Sequence, residues 1–151
     1  MIESAIDNWL RWAAGELEGD RLERLHELLS DDVTFYSPVV FTPQKGKTAT
    51  ALYLMAAFGT FSKSPSEESL SQKDPNAKDG FRYTKKLFSD RHAVLEFETN
   101  MGGKYVNGVD IITCNDAGLI TDFKVMIRPL QAVNMVHAQM AGMLKKMQNG
   151  D

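Results

Sequence analysis

Apolar residues fall at two different periods along this chain, and the change of period divides it into a helical half and a stranded half. Ile2, Ile6, Trp9, Leu10 and Ala13 recur at helical spacing and predict an amphipathic helix over residues 2–16. After Gly15 and Gly19, Asp20 is placed to cap a second helix carrying Leu22, Leu25, Leu28 and Leu29, closed by Ser30-Asp31-Asp32. Val33 to Tyr36 reads as a short strand stopped by Pro38, and Phe41-Thr42-Pro43 as a second short strand. Lys47 opens a third helix with Leu52, Tyr53, Met55, Ala56 and Phe58, running to about Phe61. From Phe81 the pattern alternates. Strands are predicted over Phe81–Ser89, Ala93–Thr99, Tyr105–Cys114 and Leu119–Ile127, joined at Asp90, at Gly102-Gly103 and at the hairpin signal Asn115-Asp116-Ala117-Gly118. Pro129 ends the last strand, and Leu130 to about Met147 forms a closing helix rich in methionine.

Between the halves, Ser62 to Gly80 holds one large apolar residue, Leu70, among polar and turn-forming residues. It reads as a long exposed loop. The order of elements predicts one α+β domain over residues 1–151: a strongly curved antiparallel sheet with helices laid across one face, and a C-terminal helix.

Composition narrows the function classes. The chain has 151 residues, 43% hydrophobic and 25% charged, and a net charge of −3 with no dense Lys/Arg cluster. That argues against nucleic-acid and membrane partners. No apolar run reaches the roughly 20 residues of a membrane span, and the N-terminus lacks a signal-peptide core. A single cysteine, Cys114, excludes an internal disulfide, so the expected location is cytoplasmic and the thiol reads as buried and inert. His26, His92 and His137 are scattered without ligand spacing, and no phosphate loop or metal constellation is present; neither a metal nor a cofactor is expected.

The candidate chemistry is one carboxylate. Asp110 interrupts Val106-Asn107-Gly108-Val109-Asp110-Ile111-Ile112, and a buried carboxylate is costly unless paired or protonated. The alternatives stand open: Asp110 lines a pocket, or it is ion-paired with Arg128 or Lys124 or hydrogen-bonded to a helix end. The hairpin predicts that residues summing to about 233 oppose one another, which puts Phe123, Val125 and Ile127 beside Asp110; a bulge at Gly118 would substitute Lys124, Met126 and Arg128. On the neighbouring strand Ala93, Leu95 and Phe97 would share the face, with Trp12 and Tyr53 closing the pocket from the helices. Glu96 and Glu98 alternate away from it and read as an outer face.

Taken in order, Leu29-Ser30-Asp31-Asp32-Val33-Thr34-Phe35-Tyr36-Ser37-Pro38, Gly46, Gly108-Val109-Asp110-Ile111-Ile112, Asp116-Ala117-Gly118-Leu119-Ile120 and Val125-Met126-Ile127-Arg128-Pro129 resemble the nuclear transport factor 2-like superfamily, nearest its SnoaL-like branch. The resemblance spans the whole chain. It implies a cone open at one end with an apolar cavity, and a homodimer. In ketosteroid isomerases and SnoaL-type polyketide cyclases, an aspartate at the position of Asp110 works in the pocket: protonated and donating to an enolate oxygen in the first, as acid/base in the second. The isomerase's general-base position is Ser37 here, and its tyrosine donor aligns with Trp12. The aspartate of the superfamily's epoxide hydrolases corresponds to Val125. The resemblance therefore implies binding of a small apolar, polyketide- or steroid-like molecule, with acid/base chemistry by Asp110 and without the ketosteroid isomerase mechanism. The alternative is a non-catalytic binding or dimerisation module with a vestigial pocket.

Overall fold

The computed structural model describes residues 2–61 and 80–148; most of the loop expected over 62–80 lies outside them. The elements are α1 (Ile2–Ala13), α2 (Arg21–Leu28), β1 (Leu29–Tyr36), β2 (Gln44–Lys45), α3 (Lys47–Phe61), β3 (Arg82–Ser89), β4 (His92–Met101), β5 (Lys104–Cys114), β6 (Ile120–Arg128) and α4 (Leu130–Gln148).

The six strands form one open, curved sheet in the order β2-β1-β6-β5-β4-β3. The sheet is mixed. β3 to β6 are antiparallel neighbours as their turns dictate, but β1 lies parallel to β6, because it enters the sheet from the helical half and not through a hairpin. β1 also starts earlier than its β-branched core suggests. Ser30, Asp31 and Asp32 belong to the strand and do not end α2, and Ser30 Oγ hydrogen-bonds Asp32 Oδ1. The second short strand is Gln44–Lys45, not Phe41–Pro43; Phe41 is fully exposed.

Helical spacing turns Ile2, Ala5, Ile6, Trp9 and Trp12 of α1 inward onto the sheet. Gly15, at φ +74, carries α1 out of its last turn, with its N–H donating to the Trp12 carbonyl at 3.0 Å. Asp20 caps α2 as expected, accepting from the Glu23 N–H at 3.0 Å. α3 and α4 pack against each other, α4 contributing Ala132, Val136 and Met140 one turn apart. β4 alternates strictly, with Ala93, Leu95, Phe97, Thr99 and Met101 buried; Glu96 and Glu98 face out. On that outer face Glu96 accepts from Asn107 Nδ2 at 3.0 Å, and Glu98 pairs with Arg82 and accepts from Tyr105 at 2.9 Å.

The β5–β6 register decides which way Asp110 looks. Asp110 lies opposite Val125 and Ile112 opposite Phe123, so the partners sum to 235 and not 233. The ladder shifts between Thr113 and Cys114, which leaves Thr121 as an extra residue near the turn. The displacement is two residues, so Phe123, Val125 and Ile127 still share the inner face with Asp110, while Lys124 and Arg128 point away.

A glycine makes room for this arrangement. Gly108 lies between Phe97 and Ile127, and a Cβ there would approach Phe97 Cζ to 2.3 Å and the Met126 carbonyl oxygen to 2.7 Å. The phenyl ring of Phe97 occupies the space that any other residue's side chain would need.

Candidate active site

Asp110 projects from the middle of β5 into the layer between sheet and helices, where it is 5% exposed. It lines a cavity of about 40 Å³ together with Trp9 and Ala13 of α1, Leu54 and Ala57 of α3, Phe81 and Tyr83 at the start of β3, Phe97, Phe123 and Val125. The walls are aromatic and mutually packed. Trp9 meets Phe123 edge-on at 4.8 Å, Phe81 stacks on Phe97 at 4.9 Å, and Phe81 meets Tyr83 edge-on at 5.0 Å.

Two polar groups share that apolar space with the acid. The Tyr83 hydroxyl donates to Asp110 Oδ2 at 2.6 Å, and Trp9 Nε1–H donates to the Tyr83 oxygen at 3.0 Å. The result is a directional chain, indole to phenol to carboxyl, that ends on one oxygen of Asp110. No cation pairs with Asp110 among the described residues. Burial raises its pKa from 3.8 to about 7, with the Tyr83 hydrogen bond pulling the other way. Tyr83 is pushed well above its usual value by burial and by the neighbouring Asp110 charge, so it stays a neutral donor.

Tyr83 is held where it is by a strand irregularity. β3 pairs with β4 through Arg82↔Glu98 and Tyr83↔Phe97, then slips by one at Thr84 so that Lys85 meets Glu96. Before the slip, Phe81 and Tyr83 face inward; beyond it, the strand is exposed. Bulges commonly re-aim side chains in this way beside functional sites.

The residues expected around Asp110 divide into two groups. Phe97, Phe123 and Val125 line the cavity. Leu95 lies directly across from Asp110 on β4 and, with Ala93, is packed into the core. Ile127 is half-buried over Gly108. Trp12 is 1% exposed one turn beyond Trp9, its Nε1–H given to the Arg21 carbonyl at 2.9 Å. Tyr53 packs on Phe35 with ring centres 5.6 Å apart. Ser37 Oγ accepts the Val39 N–H at 3.2 Å. His92 is exposed and bonded to Thr113 Oγ1 at 3.1 Å.

Trp9 and Tyr83, the polar partners of the acid, were not anticipated from the sequence. Two signals pointed at them: Trp9 shares a helix face with Trp12 at i, i+3, and Phe81-Arg82-Tyr83 alternates aromatic and charged at the opening of a strand.

Cys114 is buried at the far end of β5, and burial pushes its thiol up. Among the described residues no group of three or more His, Cys, Asp or Glu could hold a metal ion, and no helix is long and apolar enough to cross a membrane.

No protein-family model and no curated protein matches the chain. Solved structures do. A steroid delta-isomerase from Pseudomonas aeruginosa is 25% identical over 98% of this chain and 94% of its own, with a TM-score of 0.79. A protein with a cystatin-like fold from Silicibacter pomeroyi is 28% identical over 87% and 77%, with a TM-score of 0.67. An epoxide hydrolase/cyclase-like enzyme of pyran ring formation in polyether salinomycin shares the fold at 14% identity over 85% and 95%, with a TM-score of 0.57. The helices laid on a curved six-stranded sheet, and the neighbours that share them, give this chain the fold of the nuclear transport factor 2-like, cystatin-like proteins.

Proposed function

We propose that the chain binds a small apolar molecule carrying one carbonyl or hydroxyl, and that Asp110 exchanges a proton with that group. The observation that carries the reading is a buried carboxyl with no cation partner among the described residues, one oxygen held by Tyr83, at the wall of an apolar cavity. With a pKa of about 7, Asp110 is populated as both acid and base near neutrality, which is where a general acid/base is most effective. Tyr83 fixes Oδ2, so the proton is exchanged at Oδ1. Trp9 steadies the phenol in turn.

Ring systems of the polyketide or steroid kind match the aromatic walls in chemistry. Their size is a separate matter. About 40 Å³ holds a few waters, whereas ligand pockets usually span roughly 300–1,000 Å³. Binding of anything larger than a small ring therefore requires Phe81 and Tyr83 to move; Tyr83 sits on β3, the edge strand of the sheet, and Phe81 just before it. The same small volume favours the second reading, a binding or dimerisation module whose pocket has closed. As a homodimer, the chain would pair through the outer sheet face, where Leu87, Tyr105 and Met126 are exposed; a monomer at micromolar concentration in a sizing experiment removes that part.

The test uses cyclopentanone in heavy water. Wild type is expected to be stabilised by the ketone in thermal denaturation and to accelerate exchange of its α-protons, followed by NMR. Asp110→Asn is expected to keep the thermal shift and lose the exchange. A thermal shift without exchange in wild type leaves a binding module; neither signal means that the cavity is vestigial.

A further inference from the structure

Five aromatic residues and one carboxyl line the chamber of Asp110. Trp9 comes from α1, Phe81 and Tyr83 from the start of β3, Phe97 from β4 and Phe123 from β6, so rings meet the space from several elements at once. An aromatic ring carries negative charge density on its faces and attracts a cation placed against it. Rings gathered around a buried carboxyl make surroundings suited to an ammonium group as well as to a neutral one.

The hydrogen-bond chain defines what such a group must bring. Trp9 Nε1–H donates to the Tyr83 oxygen at 3.0 Å, and the Tyr83 hydroxyl directs its single proton to Asp110 Oδ2 at 2.6 Å. Tyr83 therefore has no proton to offer a ligand, and a donor to Oδ1 of the carboxylate has to come from the ligand itself. With Phe81 and Tyr83 in place, the chamber of about 40 Å³ admits a group of only a few heavy atoms. Charge points the same way. Among the described residues no cation pairs with Asp110, and Tyr83 is the only other titratable group at the chamber wall. The helices α1 and α3 turn tryptophan, alanine and leucine to it, and β4 and β6 turn phenylalanine and valine. Lys124 and Arg128 of β6 lie on the outer face of the sheet. The carboxylate form is thus buried without a countercharge, and a small cation beside it supplies one.

We infer that the chamber, with Asp110 ionised, is a binding site for a small primary or secondary ammonium: its N–H donates to Asp110 Oδ1, and its methyl or methylene carbons pack among the rings. The inference goes beyond the reading given above. It shares with that reading the place of Asp110 in the chamber, needs no proton exchange, and uses the other protonation state. The acid donates to a carbonyl; the carboxylate accepts from an ammonium. An alkylammonium stays charged well above neutrality, as a lysine does, and Tyr83 stays neutral, so the pH dependence of binding follows Asp110. Only the ionised fraction binds, and with a pKa of about 7 the apparent affinity falls roughly 100-fold from pH 8 to pH 5. A neutral ketone follows the opposite trend.

The test uses methylammonium chloride as the probe and methanol as its neutral counterpart of similar size, with potassium chloride as the ionic-strength control. The whole chain, labelled with nitrogen-15 in its tryptophan indoles, is titrated by NMR. Trp9 Nε1–H reports on the chamber, and Trp12, whose N–H is bonded to the Arg21 carbonyl, serves as a second indole that does not line it. At pH 8 methylammonium is expected to shift the Trp9 signal saturably, with an affinity about tenfold or more above that of methanol. At pH 5 that affinity is expected to drop by roughly 100-fold. Asp110→Asn is expected to bring methylammonium down to the level of methanol. Phe123→Leu, which keeps the wall apolar and removes a ring, is expected to weaken methylammonium severalfold with little effect on methanol. A Trp9 response no greater than that to potassium chloride overturns the inference. So does equal affinity for the two probes, an affinity that does not fall from pH 8 to pH 5, or binding that persists in Asp110→Asn. The first three are read on wild type and do not depend on any variant folding. Cyclopentanone at pH 5 separates this failure from that of the reading above: a ketone that binds where methylammonium does not leaves the carbonyl site standing alone, and methylammonium that binds where the ketone does not leaves an amine site.

Discussion

Replacing Asp110 with Asn turns its burial into a measurable dependence of stability on pH. In the folded chain Asp110 releases its proton at about 7; in the unfolded chain it does so near 3.8. Between those values the folded state holds one proton more than the unfolded state. Stability therefore falls as pH rises from about 4 to about 7, and this contribution is constant above that range. The interval is about 3 pH units, so at 1.36 kcal/mol per unit the ionised acid costs roughly 4 kcal/mol at pH 8 relative to pH 4. Asparagine matches the shape and can still accept from Tyr83, but it has no proton to lose. Its NH2 turns two donors toward the apolar cavity, at a cost of about 1–3 kcal/mol that does not vary with pH. The variant is accordingly expected to be less stable than wild type at pH 4 and to overtake it at pH 8. The assay is urea unfolding of both proteins at half-unit pH steps. The difference between the two curves isolates Asp110, because the other titrating groups cancel. A difference that stays flat from pH 4 to pH 8, or that grows in favour of wild type as pH rises, would refute the idea that burial governs this acid.

Tyr83→Phe removes the hydrogen bond that lowers the Asp110 pKa, so the carboxyl is expected to titrate above 7. Carbon-13 NMR of labelled aspartate reads this directly, and a midpoint that stays or falls contradicts the role given to Tyr83. Gly108→Ala places a methyl carbon 2.3 Å from Phe97 Cζ and 2.7 Å from the Met126 carbonyl oxygen, and the backbone oxygen cannot rotate aside. A loss of about 1–3 kcal/mol in urea unfolding is expected; an unchanged midpoint shows that β5 has slack at that point.

The strands and helices were legible because each carries a period that local physics enforces. The strict alternation of β4 and the turn at Asn115–Gly118 place four strands with no tertiary information. Asp110 stood out for the same reason, as a charged residue in phase with apolar ones. What could not be read was set by residues that break the period. The slip at Thr84 determines that Tyr83 faces the acid, and the extra residue Thr121 determines that Val125 stands directly across from it. Neither leaves a mark in composition, because a bulge costs one unpaired residue and any polar residue can occupy it. On the helix side, Trp9, Ala13, Leu54 and Ala57 line the cavity. Trp9 and Trp12 are both inward-facing and close to each other, at 5.2 Å, and only the position of β3 shows that Trp9 is the one whose N–H reaches Tyr83.

That small irregularity at Thr121 is what separates an unusual acid from an ordinary ion pair. Without it, continuing the Cys114↔Ile120 pairing down the ladder would set Asp110 opposite Lys124. An ammonium at that distance holds a carboxyl in its charged form and lowers its pKa. With the extra residue, Val125 takes the place across from Asp110, and Lys124 lies on the outside over the ring of Tyr36 at 4.8 Å. Arg128, the other cation in reach along the strand, shares that outer face and donates to Asn107 at 3.2 Å. The sheet thus keeps its acid inside and its neighbouring bases outside. A position selected for stability alone gains nothing from that separation, since the apolar site would be cheaper to fill with leucine or valine. The cost of roughly 4 kcal/mol at pH 8 is borne by a carboxyl whose partner among the described residues is a phenol. A residue with that pKa, facing a space its neighbours leave open, is suited to giving and taking protons and poorly suited to holding a core together.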